Sequence, residues 1–344
     1  MKTFLELMLC AILTALSPNE TEAAGNMALL YPDSIVSKPE GFAAAAGING
    51  GSGGKSIVVV NLNDSGPGSL RDALNSPGPR IVTFSSGLTG TIKSPGGLFY
   101  GDVTLDGAGA KITITGGSIF IAKSATKGPI SNCIIKNLTF GNTKADKSAI
   151  TIVNPAHTVW IDHCTFYDNS SGFLGQPIAV WSDPVGEGIT GISVSWCHFK
   201  TPNRKALLIG AADQILKKTT RVSFHHNWFD GVDSRSPRIG AGTLAHGWNN
   251  YLSNWTEYGV GASAYADLLL ENNIFESASN IYGVVTNYNG PYASSVNESG
   301  SYIIGAPKLQ TVGTFPKDQL TYKANLEVAD DALKSRIMVG AGAP

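Results

Sequence analysis

The chain of 344 residues is predicted to be an all-β protein wound into a parallel β-helix, a solenoid of short strands. Two observations carry that prediction. Charged residues make up 15% of the chain and glycine fills 40 positions, a composition that favours strands joined by many turns over a helical bundle. The second observation is a repeat: CIIKNLTF (133–140), VWIDHCTF (159–166), ISVSWCHF (192–199), VSFHHNWF (222–229), AHGWNNYL (245–252) and LLLENNIF (268–275) can be laid on one another. Most rows carry an apolar residue, Cys or Asn at positions one, three, six and eight, with polar or variable residues between. Their starts lie 26, 33, 30, 23 and 23 residues apart. A short fixed core with insertions of variable length is the pattern of stacked turns.

The elements follow in chain order. MKTFLELMLCAILTAL and the small residues of TEAAG predict a secretory signal over 1–24, cut near Ala23 or Ala24 and interrupted by Glu6, with 25–344 as a single domain. No later segment is apolar for long enough to cross a membrane, so the protein is expected to be secreted and extracellular, with no membrane partner. SLRDALNS (69–76) predicts a short N-terminal capping helix with Ser69 at its N-cap, covering the open end of the solenoid. In the coil proper, equivalent positions on successive turns sit about 4.8 Å apart. Position six then stacks Leu138, Cys164, Cys197, Asn227, Asn250 and Asn273, and the three asparagines predict an amide ladder. With Cys10 in the signal, Cys133, Cys164 and Cys197 remain, an odd number that excludes a disulfide framework. Neighbouring turns bring Cys164 and Cys197 within disulfide range, and their pairing stays open. After Asn287 the periodicity fades, and ADDALKSRIM (329–338) predicts a second short helix at the far end or along the side.

Net charge is −1, so the molecule as a whole does not attract polyanions and no nucleic-acid partner is expected. Charge is nevertheless concentrated locally: from Lys200 to Arg238 there are eight Lys or Arg against three Asp and no Glu. Within HHNWFDGVDSRSPRIGAG (225–242), Arg235 and Arg238 either rim a site for an anion or are solvated loop charges. His225 and His226, at positions four and five of one row, are expected to face opposite sides. Either can act as a general base near neutral pH, and we read both, like Asp162 and His163, as structural. A zinc site from Asp162, His163, His198 and His225 fails on distance, since Asp162 and His225 lie two turns apart, about 9.6 Å.

At EGFAAAAGINGGSGG (40–54), VVVNLNDSGPGSLRDALNSPGPRIVTF (58–84), VWIDHCTF, ISVSWCHF, NRKALLIGAAD (203–213) and HHNWFDGVDSRSPRIG the chain resembles the pectate and pectin lyases, over most of its length. The resemblance implies a right-handed parallel β-helix with a substrate groove along one face, and cleavage of polygalacturonate by β-elimination. It implies that Lys205 binds the substrate carboxylate and that Arg235, the first Arg of the R-x-P-R-x-R stretch, takes the C5 proton. Arg238 matches the middle Arg, and Gly240 stands where the last Arg would be. Arg238, Arg204 and Trp181 are expected to contact substrate, Trp181 by stacking on a sugar ring. The resemblance also implies calcium, but the carboxylate positions fall on Ser148, Gly175 and Ala179. Asp146 is left as the one nearby carboxylate able to stand in as a ligand. Calcium takes several oxygens, usually including carboxylates, so a full calcium site is not expected. Gly175 also lacks the positive charge of calcium-independent pectin lyases.

Elimination from a uronate removes the proton α to the carboxyl group, and a cation on that carboxylate stabilises the charge that develops. Lys205 suits that task. Arginine is ordinarily protonated, so Arg235 acts as a base only where neighbouring cations and exclusion of water favour its neutral form. The first reading is therefore a secreted lyase of polygalacturonate, pectin or a related uronan that works as a monomer. The alternative is a catalytically weak or inactive β-helix that binds acidic polysaccharide, favoured by the lost carboxylates and Gly240. A hydrolase on such a coil needs a carboxylate cluster in the groove, which the basic segment does not supply.

Overall fold

The computed structural model describes residues 38–98, 100–122, 129–141, 147–153, 155–167, 176–181, 188–210, 220–278, 281–286 and 294–344. Each eight-residue row is bent rather than straight. Positions one to four run along one sheet, as in His157–Asp162, and positions seven and eight open a second, as in Thr165–Tyr167. A third sheet completes each turn, through strands such as Ile150–Val153, Ile178–Trp181 and Leu207–Ile209. Among the described residues the three sheets hold ten, nine and eight strands. They are parallel and in register, with Val159 opposite Ile192, Phe166 opposite Phe199 and Ile178 opposite Leu207. The prediction of a parallel β-helix is borne out.

The corner between the first and second sheets sits at position five. Asn137, His163, Trp196, His226, Asn249 and Asn272 all have positive φ there, between 46° and 58°. Asparagine tolerates this left-handed conformation, but a bulky side chain pays about 1–2 kcal/mol. Stacking helps hold the bulky ones: the His163 and Trp196 rings lie 5.8 Å apart, and those of Trp196 and His226 lie 4.5 Å apart. After the corner, position six turns inward. Asn227 Nδ2 donates to Asn250 Oδ1 and Asn250 Nδ2 to Asn273 Oδ1, each at 2.9 Å and buried. The predicted ladder is therefore present. Cys164 and Cys197 occupy the same column as buried free thiols, and Cys133, also free and buried, lies in the first sheet. At position eight Phe140, Phe166, Phe199 and Phe229 stack at 5.1, 4.9 and 5.0 Å.

Among the described residues three α-helices dress this coil. Helix α1 (Gly41–Ala45), which the sequence did not announce, lies on the first sheet, with the Phe42 and Ala43 amides donating to the hydroxyls of Ser223 and Ser193. Helix α2 (Leu70–Asn75) is the predicted cap. Ser69 Oγ accepts from the Asp72 amide, and Leu70, Ala73 and Leu74 pack into the main core beside Val59 and Val82. Buried Arg80 ties its end down by donating to the carbonyls of Ala73, Leu74, Gly78, Tyr100 and Gly101. Helix α3 (Asp331–Gly340) is capped by Asp330 and packs Leu333 and Ile337 against Tyr251 and Ile274 of the second sheet, so it lies along the side.

Candidate active site

Three successive turns that lead into the third sheet, around 176–177, 203–206 and 233–237, are stacked by backbone hydrogen bonds. Ile178 N donates to Ala206 O, Ser234 N to Arg204 O and Leu207 N to Arg235 O. Lys205 forms a parallel bridge with Ser234, which puts it one turn away from Arg235 and nearly opposite it in register. Both cations are almost sealed, at 8% and 6% exposure. Arg235 sits at φ 60°, a left-handed conformation for a large side chain, and such strain is retained chiefly where surrounding contacts enforce it, often at functional sites. Its Nη1 donates to the side-chain oxygen of Gln176, which is fully buried. Sequence reasoning missed Gln176, 59 residues away along the chain.

Arg238 stands on the outer face of the third sheet, opposite Leu208 and Gly261, and its Nη2 donates to Ser263 Oγ at 3.3 Å. Ala179 occupies the same outer column two strands away, through Leu208, and Trp181 follows it on the same face, half-buried. Arg204 is 65% exposed along its side chain and reaches Asp233 at 3.5 Å and Glu257 at 3.9 Å. At Gly240 a β-carbon would lie 3.0 Å from the Gly210 carbonyl oxygen. The backbones of two neighbouring turns meet there, which disfavours the arginine that the resemblance places at this position.

The histidines sit at a different corner. His225 and His226 do not face opposite sides as a continuous strand would require, because the strand ends at His225 and the left-handed turn at His226 swings the next side chain around. Their Nδ1 atoms are 2.9 Å apart, and His226 Nε2 is 2.7 Å from Glu327 Oε1. The carboxylate only accepts, so His226 Nε2 carries the hydrogen and its Nδ1 accepts from His225. Burial pushes His226 down to about 4, against a raising influence of Glu40, and burial likewise holds His225 well below the ordinary histidine range. Neutral, sealed and hydrogen-bonded, the pair is structural. Asp162, His163 and Ser195 are the residue types of a hydrolase triad, but the carboxylate lies in the middle, 2.6 Å from Ser195 Oγ and 2.7 Å from His163 Nδ1. The imidazole is therefore committed to the carboxylate, and the serine hydroxyl also accepts from Trp160 Nε1.

A parallel β-helix with two nearly sealed cations on adjacent turns at the lip of one sheet has the architecture of a polysaccharide lyase. The family model described as pectate lyase matches residues 16–343, and the chain belongs to the pectate lyase family. A pectate trisaccharide-lyase of Bacillus licheniformis is 29% identical over 273 residues, 77% of this chain and 75% of that protein. Among solved structures, a pectate lyase from Bacillus sp. N165 in complex with trigalacturonate superposes with a TM-score of 0.66 at 20% identity, over 89% of this chain and 99% of that one. Pectate lyase C from Erwinia chrysanthemi, determined with calcium, gives a TM-score of 0.62 at 20% identity, over 89% and 96%.

The donor chemistry of the described residues does not fit calcium as the resemblance would have it bound. Ser148 offers a buried hydroxyl and Ala179 a methyl group, while Asp146 and Gly175 lie outside the described residues. Among the described residues no group of three or more His, Cys, Asp or Glu is placed to hold a metal ion.

Proposed function

We propose that this protein cleaves polygalacturonate or a pectin-type uronan by β-elimination, with Arg235 as the base and Lys205 as the carboxylate clamp. The observation that carries the reading is the convergence of these two nearly sealed cations on adjacent turns of a chain in the pectate lyase family. Lys205 binds the uronate carboxylate and withdraws charge from it, which acidifies the adjacent C5–H. Arg235 accepts that proton, the C4–O4 bond breaks, and a C4–C5 double bond forms. The released oxygen takes a proton from solvent. Substrate closing over the site excludes water and strengthens each interaction in it.

Arg238 and Trp181 flank the reacting unit on the outer face of the third sheet, Arg238 meeting a neighbouring carboxylate and Trp181 a sugar face. Arg204 adds a weaker attraction at the rim, since its charge is shared with Asp233 and Glu257. With a serine and an alanine at positions where the resemblance puts carboxylates, the reaction depends little on added calcium. The segment 1–24 directs secretion, and 25–344 acts outside the cell as a monomer. A binder without catalysis is the competing reading, favoured by Gly240 and the missing carboxylates. Mass analysis of the oligosaccharide products separates the two. Elimination leaves fragments lighter by one water than hydrolysis would, and a pure binder leaves the polymer intact.

A further inference from the structure

We infer that Gln176 is a positioning residue for Arg235, holding the guanidine group in place without holding its proton. The inference rests on the reading of Arg235 as base. Guanidinium nitrogens donate and never accept, so the contact with Arg235 Nη1 identifies the Gln176 atom as its oxygen whatever the amide's orientation. Gln176 is 0% exposed, so it acts on the reaction through Arg235 rather than by touching substrate. The chain brings the two together by its winding: Gln176 precedes the strand Ile178–Trp181, and Arg235 lies two turns on, before Arg238–Ile239.

The chemistry asks for such a partner. A base must sit within hydrogen-bond reach of the proton it removes, and misplacement by an ångström is costly. A carboxylate at 176 would fix the guanidinium equally well, but it would stabilise the charged form and oppose the loss of a proton. An amide oxygen is neutral. It fixes the plane of the group and leaves the protonation equilibrium to be set by Lys205 and the substrate.

Two substitutions test this, read by steady-state kinetics across pH on polygalacturonate beside Arg235→Ala. Gln176→Met keeps the volume and removes the acceptor, and should lower kcat about tenfold with KM changed less than about twofold. Gln176→Glu adds the charge, and should move the rising limb of the kcat profile up by about one pH unit or more. Unaltered kcat and pH limb in both variants would overturn the proposal, as would a fall in melting temperature with those two quantities unmoved. If Gln176→Met does not fold, the pH limb of Gln176→Glu decides alone. An active Arg235→Ala brings down the base assignment and this proposal with it. An inactive Arg235→Ala beside unaffected Gln176 variants brings down this proposal only.

Discussion

Arg235 combines a left-handed backbone, near-complete burial and a buried amide partner, three features that a solvated loop charge has no reason to acquire. The base role proposed for it depends on the geometry of a planar guanidine, which lysine cannot reproduce. Arg235→Lys should therefore lower kcat by at least about 10²-fold, the usual contribution of a positioned base, in the ultraviolet assay of unsaturated product. Lys205→Met should lower kcat/KM by a similar factor of about 10²–10³, as expected when one charge-stabilising donor is removed. That Arg235 and Lys205 lie close together was foreshadowed by the RSPR and RKALLIG segments, and the coil places them on adjacent turns. Gln176 was not foreshadowed, because it follows an insertion of variable length, and only the pitch of the coil places it beside a residue 59 positions away. The rearrangement at His226 was equally illegible, since the mild preference of histidine for the left-handed region does not by itself mark a turn inside a strand-like row.

At the scale of single elements, the asparagine column is a hydrogen-bonded polar strip inside the core. Asn250 Nδ2 donates to Phe224 O, Trp248 O and Asn273 Oδ1, and its Oδ1 accepts from the amide and side chain of Asn227. Asn250→Ala leaves several of these groups buried and unsatisfied, and should cost roughly 3 kcal/mol, at about 1–3 kcal/mol per orphaned group with partial relaxation. Cys164→Ala, higher in the same column, should cost less, since a free buried thiol behaves as a small apolar group. Urea unfolding of the two variants checks the ordering. This part of the fold was readable because position six recurs in every row, whatever the length of the insertions between. The bend at position five was not, since two of its six residues are His and one is Trp rather than glycine.

The C-terminal segment packs back along the coil, and after the periodicity faded at Asn287 only its helix was readable from the sequence. Phe315 and Tyr322 pack with Phe42, Leu244 and Leu269 over the first sheet. Further along, Asn249 and Asn272 each donate to the Glu327 carbonyl at 2.8 Å, and Arg336 pairs with the Glu327 carboxylate that receives His226. This packing makes stability depend on pH. In the unfolded chain His226 takes up a proton as pH falls below 6.5, whereas in the fold it refuses one until about 4. Stability is thus complete above about pH 6.5 and declines toward pH 4, by roughly 3 kcal/mol for a depression of that size. His225 shifts in the same direction. Melting temperature should fall over that window, and His226→Gln, which keeps a donor for Glu327 but does not titrate, should flatten the decline.

Taken as a whole, the coil is proposed to eliminate across a uronan backbone using its own two cations. The most direct test is the rate at which the ultraviolet absorbance of the unsaturated uronide appears, measured on polygalacturonate and on highly methyl-esterified pectin, each with calcium and with a chelator, for wild type and Arg235→Ala. Wild type should give signal that survives chelation on at least one polymer, and Arg235→Ala should give none. Equal rates in the two proteins, or no absorbance from either on both polymers, would contradict the proposal.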